Sequence, residues 1–226
     1  MPLKTIGFTE KVIDKHLMNQ YEDLGKKSYF FVTSDIFKVM MATCFKADYN
    51  KIFITGIPKT DYIGKTENDE KIKKYFNLDK FKKVVFYLPT WKSEGVGRKE
   101  QTSTEFKNIF YMKDYDEERF LNYLQKENIL LLMKPHPLDE KYYKEHPELL
   151  PKSDNFRIID NEELRNIDID FYEMFKFVDC MISDYSSVTI DYLILNKPVI
   201  FLFNQSEEYV KNRGLILEDN SDILMP

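Results

Sequence analysis

Four polar segments of this 226-residue chain each follow an apolar run, and their residue types suit phosphate chemistry. The first is Ile182-Ser183-Asp184-Tyr185-Ser186-Ser187-Val188, followed by Thr189-Ile190-Asp191-Tyr192. An apolar strand ends at a polar cluster, and a helix is expected to begin at the serines. A helix start presents free backbone N–H groups and the positive end of the helix dipole. With the hydroxyls of Ser186 and Ser187 it makes a seat for a pyrophosphate. The same residues also suit an ordinary cap, with Ser186 capping and Asp184 in the turn. Local sequence alone leaves both readings open.

The second segment, Leu132-Met133-Lys134-Pro135-His136-Pro137, holds a histidine between two prolines just past an apolar run. An imidazole titrating near pH ~6.5 suits proton transfer, and its cation suits charge on a phosphate oxygen. Lys134 adds charge. A loop histidine without a role is the alternative; His16 and His146 lack comparable placement and read as surface residues. The third, Leu88-Pro89-Thr90-Trp91-Lys92, offers Thr90 and Lys92 to a phosphate or an acceptor. Trp91, the sole tryptophan, suits the core equally well. The fourth, Thr55-Gly56-Ile57-Pro58-Lys59-Thr60-Asp61, reads first as a turn, with Lys59 and Asp61 as candidates for an acceptor or cleft. Arg213-Gly214 is a weaker fifth candidate.

These segments need a scaffold, and the flanking pattern supplies one. Strands are expected near 29–32, 51–55, 84–88, 129–133, 156–159, 180–183 and 198–203. Helices are expected near 34–45, capped by Ser34, and near 68–76, 116–128, 171–177 and 186–195. Residues 90–115 read as a long polar loop. The strands are continuously apolar rather than alternating, which implies burial on both faces. Strands alternating with helices imply βαβ units and a parallel sheet, so the chain from about residue 80 onward reads as Rossmann-like α/β. Such sheets place ligands beyond the carboxyl ends of their strands, where the polar segments fall.

Composition narrows the function. Hydrophobic residues make up 43% and charged residues 31%, a globular balance, and 18 Phe with 15 Tyr supply a core. A net charge of −5 argues against a nucleic-acid partner. The lysines at 71, 73, 74, 80, 82 and 83 read as a solvated helix face or a weak membrane-surface contact. Cys44 and Cys180 sit among apolar neighbours without metal spacing, as buried free thiols of a reducing compartment do. No apolar run is long enough to span a bilayer and no signal peptide opens the chain, so a cytoplasmic protein is expected, at most peripheral on the membrane's inner face. No G-x-G-x-x-G, P-loop, nucleophile elbow or H-E-x-x-H motif is present, which removes the main support for dehydrogenase, nucleotide hydrolase, serine hydrolase and zinc protease readings.

Taken in order, Gly56-Ile57-Pro58-Lys59-Thr60-Asp61, Leu88-Pro89-Thr90-Trp91-Lys92, Lys134-Pro135-His136-Pro137 and Ser183-Asp184-Tyr185-Ser186-Ser187-Val188 resemble the CDP-glycerol glycerophosphotransferase family. Asp191-Tyr192, Lys197-Pro198-Val199-Ile200-Phe201 and Arg213-Gly214 extend the resemblance over nearly the whole chain. It implies a GT-B-like α/β fold: a Rossmann-like donor domain at 79–226 and an incomplete acceptor-side α/β domain at 1–78. It implies transfer of glycerol phosphate from CDP-glycerol to a teichoic-acid-type or capsule polymer, lipid-linked or free, with release of CMP and no cofactor. Ser186 and Ser187 would hold the donor pyrophosphate, His136 would match the family's functional histidine, and Asp184, Thr90, Lys92 and Arg213 would be site residues. Family members carry Trp-His-Gly just before a stretch like Pro2-Leu3-Lys4-Thr5, and they continue with Gly-Pro and a further helix past Pro226. The resemblance therefore implies a fragment lacking the upstream histidine. Three other readings stay open: a ribitol-phosphate transferase using CDP-ribitol, a GT-B glycosyltransferase using a nucleotide sugar, and a non-catalytic nucleotide-binding remnant.

Overall fold

The computed structural model describes residues 7, 15–65, 67–90, 108–184 and 186–202. Trp91, Lys92 and Arg213 lie outside the described residues. The chain divides into two compact units, with the break between Asp61 and Tyr62.

In the first unit, helix α1 (Lys15–Lys27), strand β1 (Phe30–Val32), helix α2 (Asp35–Phe45) and strand β2 (Ile52–Ile54) follow in order. The two strands pair in parallel, Phe30 opposite Ile52. Ser34 caps α2 as expected: its hydroxyl accepts from the Phe37 amide. Val32, Cys44, Phe45, Ala47 and Ile52 form the core. Gly25 is buried in α1, where an added Cβ would stand 1.8 Å from the Phe45 carbonyl oxygen, so the close approach of α1 to α2 requires glycine.

The second unit contains helix α3 (Asp69–Phe76), strand β3 (Lys83–Leu88), helix α4 (Glu117–Glu127), strand β4 (Ile129–Met133), helix α5 (Glu140–Glu145), strand β5 (Phe156–Ile158), helix α6 (Asn161–Asn166), strand β6 (Cys180–Ser183), helix α7 (Val188–Tyr192) and strand β7 (Val199–Phe201). All four strand pairings of its sheet are parallel. The continuous apolar runs bury both faces, because successive side chains point to opposite sides. Val84, Phe86 and Leu88 of β3 join Leu130 and Leu132 of β4 in one core, while Tyr87, Leu131 and Met133 enter the other. Ile63, Ile72, Phe76 and Leu78 also pack in the first of these cores, which is why the break between units precedes the expected boundary at 78/79.

The elements differ from the sequence expectation in three places. Residues 171–177 form a 3₁₀ helix, capped by Asp170 onto the Tyr172 amide. Four successive buried residues there, Tyr172 to Phe175, leave no solvent face for an amphipathic α-helix. The helix expected at 186–195 is α7, which starts at Val188, plus a 3₁₀ turn at Leu193–Leu195 that ends on Asn196 in left-handed conformation. Helices α1, α5 and α6 were not anticipated.

Candidate functional site

The sheet order is β5-β4-β3-β6-β7. Strand order thus reverses between β3 and β6, the switch point where a parallel sheet opens a crevice at its carboxyl edge. Leu88 and Ser183 are paired at that edge. Just beyond it, the Thr90 amide donates to Asp184 Oδ1 at 2.9 Å, and the Thr90 hydroxyl donates to Oδ2 at 2.7 Å. Both side chains are buried. The Ser183 hydroxyl donates to the Leu88 carbonyl. The turns leaving β3 and β6, far apart in sequence, are thereby joined at the mouth of the crevice.

Ser186 and Ser187 follow at the start of α7, both half-buried. Ser187 occupies the cap position but makes no side-chain capping bond. The Ser186 carbonyl accepts from the Thr189 amide at 3.2 Å and from its hydroxyl at 2.7 Å. Two buried tyrosines hold the helix from behind. Tyr172 donates to Asp191 Oδ2 at 2.7 Å, and Tyr192 donates to the Val178 carbonyl at 3.0 Å.

His136 lies on the loop from β4 to α5, also at the carboxyl edge, and is half-buried. Its Nδ1 accepts from the Leu138 amide at 3.3 Å, and its carbonyl accepts from the Asp139 amide at 2.8 Å. With Nδ1 an acceptor, the neutral ring carries its proton on Nε2. Lys134 starts the same loop. Its side chain is 6% exposed, and Nζ stands 3.5 Å from Glu140 Oε1. Burial pushes its pKa below the ordinary lysine value, and Glu140 pulls it part of the way back.

The loop from 108 to 116 brings in a residue that the sequence reading passed over. Tyr111 adopts φ +54°, a left-handed conformation rare for a bulky side chain. Asn108 builds the turn: its Oδ1 accepts from the amides of Phe110 and Met112, and its Nδ2 donates to the Met112 carbonyl at 2.7 Å. The Tyr111 hydroxyl meets that of Tyr143 at 3.1 Å. Burial pushes its pKa up to about 12; the bond to Tyr143 opposes this, and the charges of Asp139 and Asp184 add to it. The turn-forming Asn108, three residues before Tyr111, was the sole local signal.

Lys59 and Asp61 belong to the first unit, in the 3₁₀ helix Pro58–Gly64, where the Thr60 hydroxyl donates to the Ile57 carbonyl at 2.7 Å. Lys59 is half-buried and Asp61 exposed. Among the described residues no three His, Cys, Asp or Glu side chains gather as a metal site.

A doubly wound parallel sheet, with Thr90, Asp184, Ser186, Ser187 and His136 all beyond its carboxyl edge, defines a Rossmann-like α/β domain of the GT-B-like class. Within that class the family is fixed by sequence: the profile of the CDP-glycerol:poly(glycerophosphate) glycerophosphotransferases matches residues 1–224, and the chain belongs to that family. It is 26% identical over 216 residues to the teichoic acid ribitol-phosphate polymerase TarL of Staphylococcus aureus, covering 93% of this chain and 35% of that protein. It is 31% identical over 163 residues to the teichoic acid glycerol-phosphate primase of Bacillus spizizenii, covering 71% of this chain and 36% of that protein. The solved wall teichoic acid polymerase TagF superposes with a TM-score of 0.69 at 26% identity, covering 96% of this chain and 52% of that chain. The chain thus spans about a third of these curated relatives and about half of the solved one.

Proposed function

We propose that this chain carries the donor site of a transferase that moves glycerol phosphate from CDP-glycerol to a teichoic-acid-type or capsule polymer and releases CMP. The observation that carries this reading is the Thr90–Asp184 clamp at the switch point, with Ser186 and Ser187 on one side and His136 on the next loop. Ser186 and Ser187 donate to the pyrophosphate. An acceptor hydroxyl oxygen attacks the glycerol-bearing phosphorus, and the bond from that phosphorus to the CMP oxygen breaks. The hydroxyl proton passes to a base, and the His136 Nε2 proton faces the charge that develops on phosphate oxygen. Positioning supplies much of the rate in such transfers. Lys92 and Arg213 are further donor-site residues in this reading. In this reading the unit that begins at Tyr62 makes the donor domain, and Lys59 and Asp61, in the first unit, belong to the acceptor side.

No described helix is long and apolar enough to cross a membrane. A polymer acceptor anchored in lipid brings the enzyme to the inner membrane face, and the exposed lysines at 71, 74, 80 and 82 suit anionic headgroups there. Flotation with anionic against neutral vesicles tests that contact.

Calorimetric titration with CDP-glycerol tests the donor site. Binding that Ser186→Ala/Ser187→Ala abolishes supports the reading. Binding that the double substitution leaves intact removes the serines from the pyrophosphate, and a folded chain that takes a nucleotide sugar but no CDP-polyol overturns the assignment. The similarity to a ribitol-phosphate polymerase favours one second reading, a CDP-ribitol donor, and the same titration with that compound decides between the polyols.

A further inference from the structure

We infer that Lys134 and Glu140 act as a clasp that positions His136, closing the loop on which the imidazole stands. The role of His136 rests on the donor-site reading above, whereas the clasp itself is a property of the free protein. Lys134 is the first residue after β4 and Glu140 the first of α5, so their contact at 3.5 Å joins the two ends of the loop. Each end is also pinned to the body of the domain. The Lys134 amide donates to the Tyr87 carbonyl of β3 at 3.0 Å, and its Nζ stands 5.4 Å from the centre of the Phe171 ring. Glu140 Oε1 accepts from the Asn161 amide at 3.0 Å, which ties it to the start of α6.

Between these ends the loop has little freedom. Pro135 and Pro137 fix φ on both sides of His136. The Asp139 amide closes onto the His136 carbonyl, and the Leu138 amide onto Nδ1. The imidazole thus has its orientation and tautomer set by bonds within a loop whose ends the clasp holds together.

A buried ion pair is a poor way to gain stability, because desolvation of both charges offsets their attraction. A methionine would fill the Lys134 space without that penalty. What the pair supplies is a fixed distance between the loop ends, and a misplacement of about 1 Å at a reacting group costs as much as 10²-fold in rate. With its amine directed at Glu140, Lys134 is a positioning residue rather than a phosphate ligand.

The test is nitrogen NMR of the His136 imidazole in Lys134→Met, Glu140→Gln and Lys134→Arg. The wild type is expected to hold one neutral tautomer, protonated on Nε2. Lys134→Met and Glu140→Gln are expected to give a mixture, and Lys134→Arg, which keeps a cation, to restore the single form. Should Lys134→Met fail to fold, Glu140→Gln decides, since its amide oxygen still accepts from Asn161. Folded variants that keep the wild-type tautomer overturn the clasp. So does loss of CDP-glycerol affinity without a change of tautomer, which would make Lys134 a ligand of the donor. A wild type that binds no CDP-glycerol overturns the donor reading while leaving the tautomer result to decide the clasp.

Discussion

Thr90 gives both its amide and its hydroxyl to the carboxylate of Asp184, at 2.9 and 2.7 Å, across the place where strand order reverses. A buried carboxylate needs several donors to offset the loss of water. Here the Thr90 turn supplies two of them, from a strand 94 residues away in sequence. The polar cluster and the sheet are therefore one unit: the bonds that satisfy Asp184 also join the turns after β3 and β6.

Replacing Thr90 with valine preserves shape and the amide donor but removes the hydroxyl. Asp184 then stays buried with one donor fewer, at a cost of about 1–3 kcal/mol. Urea denaturation should show a lower midpoint for Thr90→Val and a recovery for Thr90→Ser. Equal midpoints for valine and threonine would mean that the hydroxyl bond contributes nothing.

Helix propensity alone favours alanine over glycine by about 1 kcal/mol inside α1. The packing of Gly25 against α2 reverses that preference, because the new Cβ would overlap the Phe45 carbonyl oxygen at 1.8 Å. Backbone cannot yield as a flexible side chain does, so α1 must lift away. Gly25→Ala should lose roughly 1–3 kcal/mol, as overpacked sites do. Calorimetric unfolding reads the change, and a stabilised Gly25→Ala would show that α1 sits free of α2.

The sheet was legible because doubly buried strands write themselves as continuous apolar runs, as Val84–Leu88 and Leu130–Met133 show. A cap was legible where the side chain is local, as at Ser34, whereas Asp116, which reads as the first residue of its helix, is in fact its cap. Polar residues beyond strand ends were legible as a group, because a parallel sheet fixes where they stand. Their partners were not: nothing near Thr90 announces Asp184, since that contact depends on sheet order. Short helices such as α5 and α6 carry too few turns for periodicity to stand out. Tyr111 stayed hidden because its left-handed backbone comes from the Asn108 turn and packing, not from its own preference.

Asp160 should make part of the stability depend on acid. It caps α6, accepting from the Glu163 amide at 2.7 Å, and pairs with Lys144 at 2.9 Å. Partial burial raises its pKa, but the backbone bonds and Lys144 outweigh this and leave it below the ordinary 3.8. Between the folded and unfolded values the unfolded chain binds more protons, so stability rises with pH there. The contribution is full above 3.8 and lost as pH falls through the lower folded value. Asparagine caps about as well as aspartate, so Asp160→Asn isolates the charge. The variant should be less stable than wild type at pH ~7, with the gap closing in acid below the folded value. A gap independent of pH would refute the charge contribution.

Asn108 bears on both stability and the crevice. Its side chain makes three bonds within five residues, and those bonds hold Tyr111 at φ +54°. A non-glycine residue pays about 1–2 kcal/mol for that conformation and keeps it where its surroundings insist. Asn108→Ala removes all three bonds and should cost about 2–3 kcal/mol. Freed from the turn, Tyr111 should leave its place beside Tyr143 and near Asp139 and Asp184, and CDP-glycerol affinity should fall together with stability. Calorimetry at a temperature where the variant is still folded separates the two effects. A variant that loses stability but keeps full affinity would reduce the loop to packing. One that keeps its stability would show that the turn does not depend on Asn108, and that the strain at Tyr111 is held by the ring's own burial against Tyr143.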